Sequence, residues 1–349
     1  MVVGVTRKRF WLAVVFGLSV LYYTIKQADI KRLAQNFENF DPFWAFVVVA
    51  ASFASYYCIA AVLHRLLKGV GYSLPFSSSF EISLLSCTLN YLMAIGGVSG
   101  VAAKVYLLSR KNIPPSKTLS ISMVHGFLTN TVAVIFIYLG FFFLYSDYKM
   151  SSREKEIGIF ILLVAFLLTW ITIQTIVHEG FRKRLWRVLM KIGLVLCRLL
   201  HHPEWIHRER AEVFFENFNE SMNLLVKKRG TLLLPATFAL LDWALMLLCL
   251  KCSFLVVHYP VDNRSLLVGF SVGIFATLFS LTPASIGVME GSMAGSFYLM
   301  GLDYEGALLA TLIYRFAYFF LPILVSFFFY RQFFPATPKG SESDNPPDE

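Results

Sequence analysis

Long runs without Asp, Glu, Lys, Arg or His punctuate this 349-residue chain, and eight of them, 12 to 25 residues each, give its map. They cover 10–25, 43–63, 82–103, 126–146, 157–177, 230–241, 265–289 and 316–330. A bilayer core takes about 20 apolar residues per crossing helix, so runs of this kind predict an all-α polytopic membrane protein. Composition excludes the alternative of a soluble enzyme: only 15% of residues are charged and 57% are hydrophobic, against roughly 25% charged in soluble domains. Five cysteines, most of them in apolar stretches, do not make a secreted disulfide framework. The net charge of +9 fits basic cytoplasmic loops on anionic lipid rather than nucleic acid.

Loop charge orients the spans. Arg7, Lys8 and Arg9 place the N-terminus in the cytoplasm, and the first run reads as an uncleaved signal anchor. Arg65 and Lys68 return the chain inside after the second run. Arg110, Lys111 and Lys117 also belong inside, yet the apolar run 82–103 lies between these markers. That run must enter and leave on one side. In the second half, the stretch 178–230 holds 11 Lys/Arg against 6 Asp/Glu and belongs inside, whereas His258, Asp303 and Glu305 suit the outside. The apolar stretch between those outer markers must also go in and come back.

The expected architecture is therefore about six full spans plus two re-entrant helical hairpins in an inverted repeat. The hairpins cover about 80–108 and about 266–302, within one transmembrane domain over 1–339. Each breaks at a glycine-rich turn, one holding Gly97 and Gly100, the other Pro283 and Gly287. Paired interrupted helices of opposite topology point to a transporter site near the midplane. The stretch 179–229 reads as an amphipathic cytoplasmic connector, with Leu185, Trp186, Leu189, Ile192 and Leu196 alternating with Arg182, Lys183, Arg184, Arg187 and Lys191. The Pro/Ser/acidic tail 340–349 reads as disordered.

Ionisable groups inside spans are costly and mark function by default. Glu290 stands at the start of the half-helix after the second break, and Arg315 on the next span. Two readings stand for them: an internal ion pair holding two helices, or a headgroup site in which Arg315 binds phosphate bidentately. Lys104, one turn after Gly100, is a candidate to meet lipid phosphate. His125 is either a hydrogen-bonded core residue or a proton relay. Asp242 either pairs with a basic group or couples protons. His201, His202 and His207, and Cys249 with Cys252, lack the spacing of a metal site, so neither metal nor cofactor is expected. No hydrophilic segment is long enough for a catalytic domain and no P-loop occurs, which argues against an enzyme.

The segment Thr282-Pro283-Ala284-Ser285-Ile286-Gly287-Val288-Met289-Glu290, followed by Gly301, Ala307, Tyr314-Arg315 and Leu321-Pro322, resembles the lysylphosphatidylglycerol synthase transmembrane region, or flippase-like family. That family carries a Pro-Gly-Gly-x-Gly-x-x-Glu break, then a span with Tyr-Arg that ends in Pro. Gly100, Lys104 and Leu107-Leu108 are similar to its first-hairpin motif, and Asp242 matches an acidic position before the second hairpin. Departures are Ala284 and Ser285 for two glycines, Gly96 for Pro, Val101 for an acidic residue and Lys104 for Arg. The resemblance implies a lipid translocase moving a phosphate-bearing phospholipid or glycolipid between leaflets of a bacterial inner membrane, with both termini cytoplasmic. A membrane-embedded transferase using a lipid-linked donor, or a non-transporting scaffold for a lipid-modifying enzyme, is the rival reading. The implied partners are membrane lipids, not nucleic acid; a homo-oligomer and a neighbouring lipid-synthesis enzyme are compatible with it.

Overall fold

The computed structural model describes residues 7–29, 31–32, 40–93, 98–147, 152–199, 208–227, 230–278, 280 and 282–333. The tail 340–349, Gly97 and the histidines at 201, 202 and 207 lie outside the described residues. Among the described residues every regular element is helical. In chain order these are α1 (Arg7–Lys26), α2 (Pro42–Gly69), α3 (Phe76–Met93), α4 (Val98–Ser109), α5 (Pro115–Asp147), α6 (Ser152–Val177) and α7 (Glu179–Leu199). There follow α8 (Arg208–Lys227), α9 (Gly230–Val256), α10 (Asn263–Leu278), a 3₁₀ turn (Pro283–Ser285), α11 (Val288–Leu299) and α12 (Tyr304–Arg315). A π turn (Phe316–Phe320) then leads into α13 (Leu321–Phe333).

Four helical stretches are long and apolar enough to cross a bilayer: Pro42–Gly69, Pro115–Ser146, Leu232–Val256 and Tyr304–Phe329. The helices flanking the two predicted breaks are shorter. At 1.5 Å per residue, the 12-residue α4 and α11 reach only about 18 Å, against a hydrocarbon core of about 30 Å.

α2 is the spine. Asp41 caps it, its Oδ1 accepting from the backbone N–H of Phe43 (2.9 Å) and Trp44 (3.4 Å), with Pro42 pre-set for the first helical position. Its first half packs with α9, α10, α11 and α12 in one apolar core that includes Val48, Tyr56, Phe254, Phe270, Phe297 and Tyr314. Its second half, Val62 to Val70, packs with α3, α4, α5 and α8 in another, through Ile82, Leu107, Ile121 and Met222. A single long helix thus joins the two halves of the chain, and its most extensive partner is α9.

Small residues bring the second pair of short helices together. A Cβ at Gly269 would overlap the Phe297 ring, and one at Gly273 would overlap Met293. α10 and α11 therefore approach more closely than side chains on both helices would allow. The 3₁₀ turn between them packs against α3 and α1, so the second break lies beside the first hairpin.

The connector departs from the expected pattern at one residue. Arg182, read from the sequence as part of the charged face, is 1% exposed. Its Nε donates to Asn219 Oδ1 (2.8 Å), one terminal nitrogen donates to the carbonyls of Ile176 (2.6 Å) and Thr175 (3.2 Å), and the other donates to Asn223. A cation here closes off the last carbonyls of α6 and ties them to α8. Beside it Glu179 accepts from Lys183 and Asn223, and those hydrogen bonds hold its carboxyl down at about 2. Trp186 stacks on Phe215 at 4.9 Å, while Leu189, Ile192 and Val195 are exposed.

The close approach of α10 and α11 is open to test. Gly295 on α11 has open space at its Cβ position. Gly269→Ala should lower stability in detergent by about 1–3 kcal/mol through overpacking, while Gly295→Ala should be neutral or stabilising because alanine favours helix. Thermal unfolding of the two variants measures this.

Candidate functional site

The second break is built around a buried ion pair. Glu290 is the third residue of α11; its Oε2 accepts from the backbone N–H of Gly287 at 2.7 Å, which closes the exposed helix start. Its other oxygen accepts from Arg315 Nε, also at 2.7 Å. The rest of the guanidinium is engaged as well. One terminal nitrogen donates to the Ala284 carbonyl and the other lies 3.4 Å from Met289 Sδ, while its carbon sits 4.1 Å from the Phe319 ring centre. Arg315 and Glu290 are 1% and 2% exposed. Of the two sequence readings, this arrangement is the internal pair, and it also fastens the loop.

The loop needs fastening. Ala284, Ser285 and Gly287 have φ of 52°, 54° and 82°. The left-handed region costs roughly 1–2 kcal/mol per non-glycine residue. Ala284 and Ser285 are the two positions where the resembled family has glycines, so this chain carries the strain that glycine would avoid. Pro283 sits at the first position of the 3₁₀ turn, where its fixed φ fits.

Beyond Arg315 the helix widens into the π turn at Phe316–Phe320. Pro322 is the cause: it has no N–H, so the carbonyls one turn back lose their usual donor. α2 supplies replacements, Ser52 Oγ donating to the Ala317 carbonyl (2.8 Å) and Tyr56 Oη to the Tyr318 carbonyl (3.0 Å). Between these residues, Ser55 Oγ donates to Asp242 on α9 and lies 3.0 Å from Tyr318 Oη. Asp242 is 6% exposed, and no ion pair to it is found among the described residues.

The first break is differently provided. Gly97 lies outside the described residues. Gly100, at the start of α4, has the Ser86 carbonyl 3.1 Å from where a Cβ would be, so glycine allows α4 to lie against α3. Ser99 Oγ donates to Asn90 Oδ1 at 3.4 Å. Lys104 follows one turn later, half-buried, and its ammonium lies within electrostatic reach of Cys87 and His125. No ion pair to Lys104 is found among the described residues. The two helices packed against α4 carry a seam of polar groups without hydrogen-bond partners: Ser83 and Ser86 on α3, Thr118, Ser122 and His125 Nδ1 on α5.

Sequence reasoning named Lys104 and His125 but missed the seam hydroxyls. Their spacing was the available signal: 79, 83, 86 and 90 on α3, and 118, 122 and 125 on α5, each share a helix face. The structure brings Glu290, Arg315, Pro283 and Gly287 into one cluster, places Asp242 at the junction of α2, α9 and the π turn, and places Lys104 with His125. Among the described residues no group of three potential metal ligands occurs. Cys249 and Cys252 are buried free thiols in α9.

Because Arg315 and Glu290 neutralise one another out of water, removing one partner should cost far more than removing both. Arg315→Met is expected to destabilise by about 3–5 kcal/mol, and Glu290→Gln with Arg315→Met to recover about 2 kcal/mol of that. Equilibrium unfolding of the two variants in detergent reads the difference; equal losses would contradict the pairing.

Residues 10–326 match the lysylphosphatidylglycerol synthase TM region family. Among curated proteins the chain is similar to a UPF0104 membrane protein of Methanocaldococcus jannaschii, 23% identical over 90% of this chain and 91% of the relative. A UPF0104 membrane protein of Pyrococcus horikoshii is 20% identical over 90% and 94%. One from Methanothermobacter thermautotrophicus is 23% identical over 66% of each chain, so the match spans just under two thirds of that relative's length. With helices long and apolar enough to cross a bilayer and a match over nearly its whole length, this integral membrane protein belongs to the lysylphosphatidylglycerol synthase transmembrane-region family.

Proposed function

We propose that the protein is a lipid translocase that passes the phosphate-bearing headgroup of a phospholipid or glycolipid between leaflets by way of its two helix breaks. In this reading α3–α4 and α10–α11 are re-entrant hairpins entering from opposite faces, and α1 and α6 complete six crossings. Support comes from the length of α4 and α11, from the contact of the second break with α3, and from the opposite loop charges at the two hairpins. The reading places the protein in a bacterial inner membrane with both termini cytoplasmic.

The observation that carries the proposal is the contrast between the cations beside the two breaks, Arg315 and Lys104. Arg315 is neutralised and fully engaged, which leaves it the work of holding the break. Lys104 has neither service; His125 lies within its electrostatic reach, and the helices packed against α4 carry five polar groups that lack partners. Each unsatisfied buried group costs about 1–3 kcal/mol, so a seam of five is costly when closed and dry. An anionic phosphate, with oxygens to accept from Lys104 and the hydroxyls, would satisfy these groups together. The headgroup site is therefore assigned to Lys104, His125 and the seam, and the clamp to Glu290 and Arg315. A transferase would need a positioned acid–base pair at the donor; the paired acid near the breaks, Glu290, is spent on Arg315 and Gly287.

Purified protein in liposomes carrying a fluorescent phospholipid should speed exposure of the inner-leaflet label to an impermeant quencher. Lys104→Ala should slow this at least about tenfold, the effect of losing one charge-assisted hydrogen bond of about 1.5–3 kcal/mol, and Lys104→Arg should retain most of it. Lipid movement that is no faster than in empty liposomes would reject the translocase; an unchanged rate in Lys104→Ala would reject the site.

A further inference from the structure

Among the described residues of the helices that carry the seam and the clamp and of α2 and α9, one buried carboxylate is used by neither: Asp242. It stands midway along α9, and its carboxylate is held by Ser55 of α2 and Tyr318 of the π turn. Among the described residues, the groups within its electrostatic reach are thiols and phenols. α2 brings Cys58 and Tyr56, α12 brings Tyr314, the π turn brings Tyr318, and α3 places Cys87 and Tyr91 within electrostatic reach. α9 itself carries Cys249, Cys252 and, near its end, Lys251, which donates to Asn263. α5 offers His125, which faces Lys104, and Tyr138, whose hydroxyl donates to the Leu162 carbonyl. α10 has only Arg264, at its first turn.

A carboxylate with no cationic partner among the described residues, buried among phenols, thiols and hydroxyls at membrane depth, carries a desolvation cost that binding a proton removes. Its location gives that proton leverage. The Cys87 thiol lies within electrostatic reach of both Asp242 and Lys104. Tyr318 is three residues beyond Arg315, on the π turn that continues directly from the clamped helix. π turns are recurrent at functional sites. Asp242 thus sits between the seam of the first break and the clamp of the second.

We propose that Asp242 is a proton-carrying site that couples lipid movement to a proton gradient. A carboxylate oxygen takes one proton from water on one face of the membrane, forming an O–H bond, and the acid is carried in the closed arrangement seen here. When the junction of α2, α9 and the π turn opens toward the other face, that bond breaks and water accepts the proton. No electron is transferred. What the proton drives rests on the translocase reading, but its residence on Asp242 does not.

Infrared difference spectroscopy of the full-length protein in liposomes tests the residence directly. Wild type minus Asp242→Asn should show, at neutral pH, the carbonyl stretch of a protonated carboxylic acid, shifted in heavy water and displaced in Asp242→Glu. Ser55→Ala, which leaves the acid in place, should move the band and so provides a reading even if Asp242→Asn folds poorly. Absence of the band overturns the proposal whatever the lipid does. In the same liposomes, with one proton per lipid, an imposed difference of one pH unit should shift the steady leaflet ratio of fluorescent phospholipid about tenfold. Asp242→Asn should exchange lipid with a ratio near one. A wild-type ratio that ignores the pH gradient or follows sodium instead overturns the coupling. An acid band without any lipid exchange upholds the proton site and rejects the translocase alone.

Discussion

A bilayer interior has no water to lend to a broken helix, so each break in this chain must find its partners within the protein. The second break does so through Arg315. Its guanidinium reaches the Glu290 carboxylate, the Ala284 carbonyl and the Phe319 ring together, and Glu290 in turn closes the N–H of Gly287. Three consecutive parts (loop, half-helix and following span) are thereby locked by one side chain. The left-handed Ala284 and Ser285 persist because that lock over-determines them.

Among the described residues flanking the first break no such lock occurs. Ser99 and Asn90 make one long hydrogen bond across α3 and α4, and the groups farther along the seam make none. The two halves of the chain thus share a plan of short helix, break and short helix while differing in how it is stabilised. One is held by a buried ion pair, and the other carries the unpartnered polar groups that the proposed function assigns to a headgroup. α2 couples them, contributing Ser52, Ser55 and Tyr56 to the π turn after the clamp and its later residues to the core beneath the seam.

Much of this was legible in the sequence. Uncharged runs located the helices, because hydrocarbon depth admits few alternatives; glycine and proline located the breaks; and a carboxylate and a guanidinium in neighbouring apolar stretches already suggested a pair. Other features were hidden for physical reasons. Arg182 belongs to a charge-rich amphipathic stretch, and nothing in its neighbours says that its side chain turns inward to Asn219 and Asn223. Serines in apolar helices commonly bond the carbonyl four residues back, as Ser120 and Ser253 do here, so the unpartnered state of Ser83 and Ser86 emerges only in three dimensions. Pro322 entered the sequence reading only as part of the family-like motif, and nothing there says that hydroxyls of a helix more than 260 residues away would supply the missing donors.

The account stands on two hairpins that approach one another from opposite sides of the membrane. After replacement of the five native cysteines, single cysteines at Ser73 and Lys111 flank the first hairpin and those at Asn263 and Glu305 flank the second. Labelling with a membrane-impermeant maleimide in oriented vesicles should modify the first two only from the cytoplasmic face and the last two only from the outer face. If the members of either pair label from opposite faces, that hairpin is a crossing, and the opposed-hairpin arrangement is wrong.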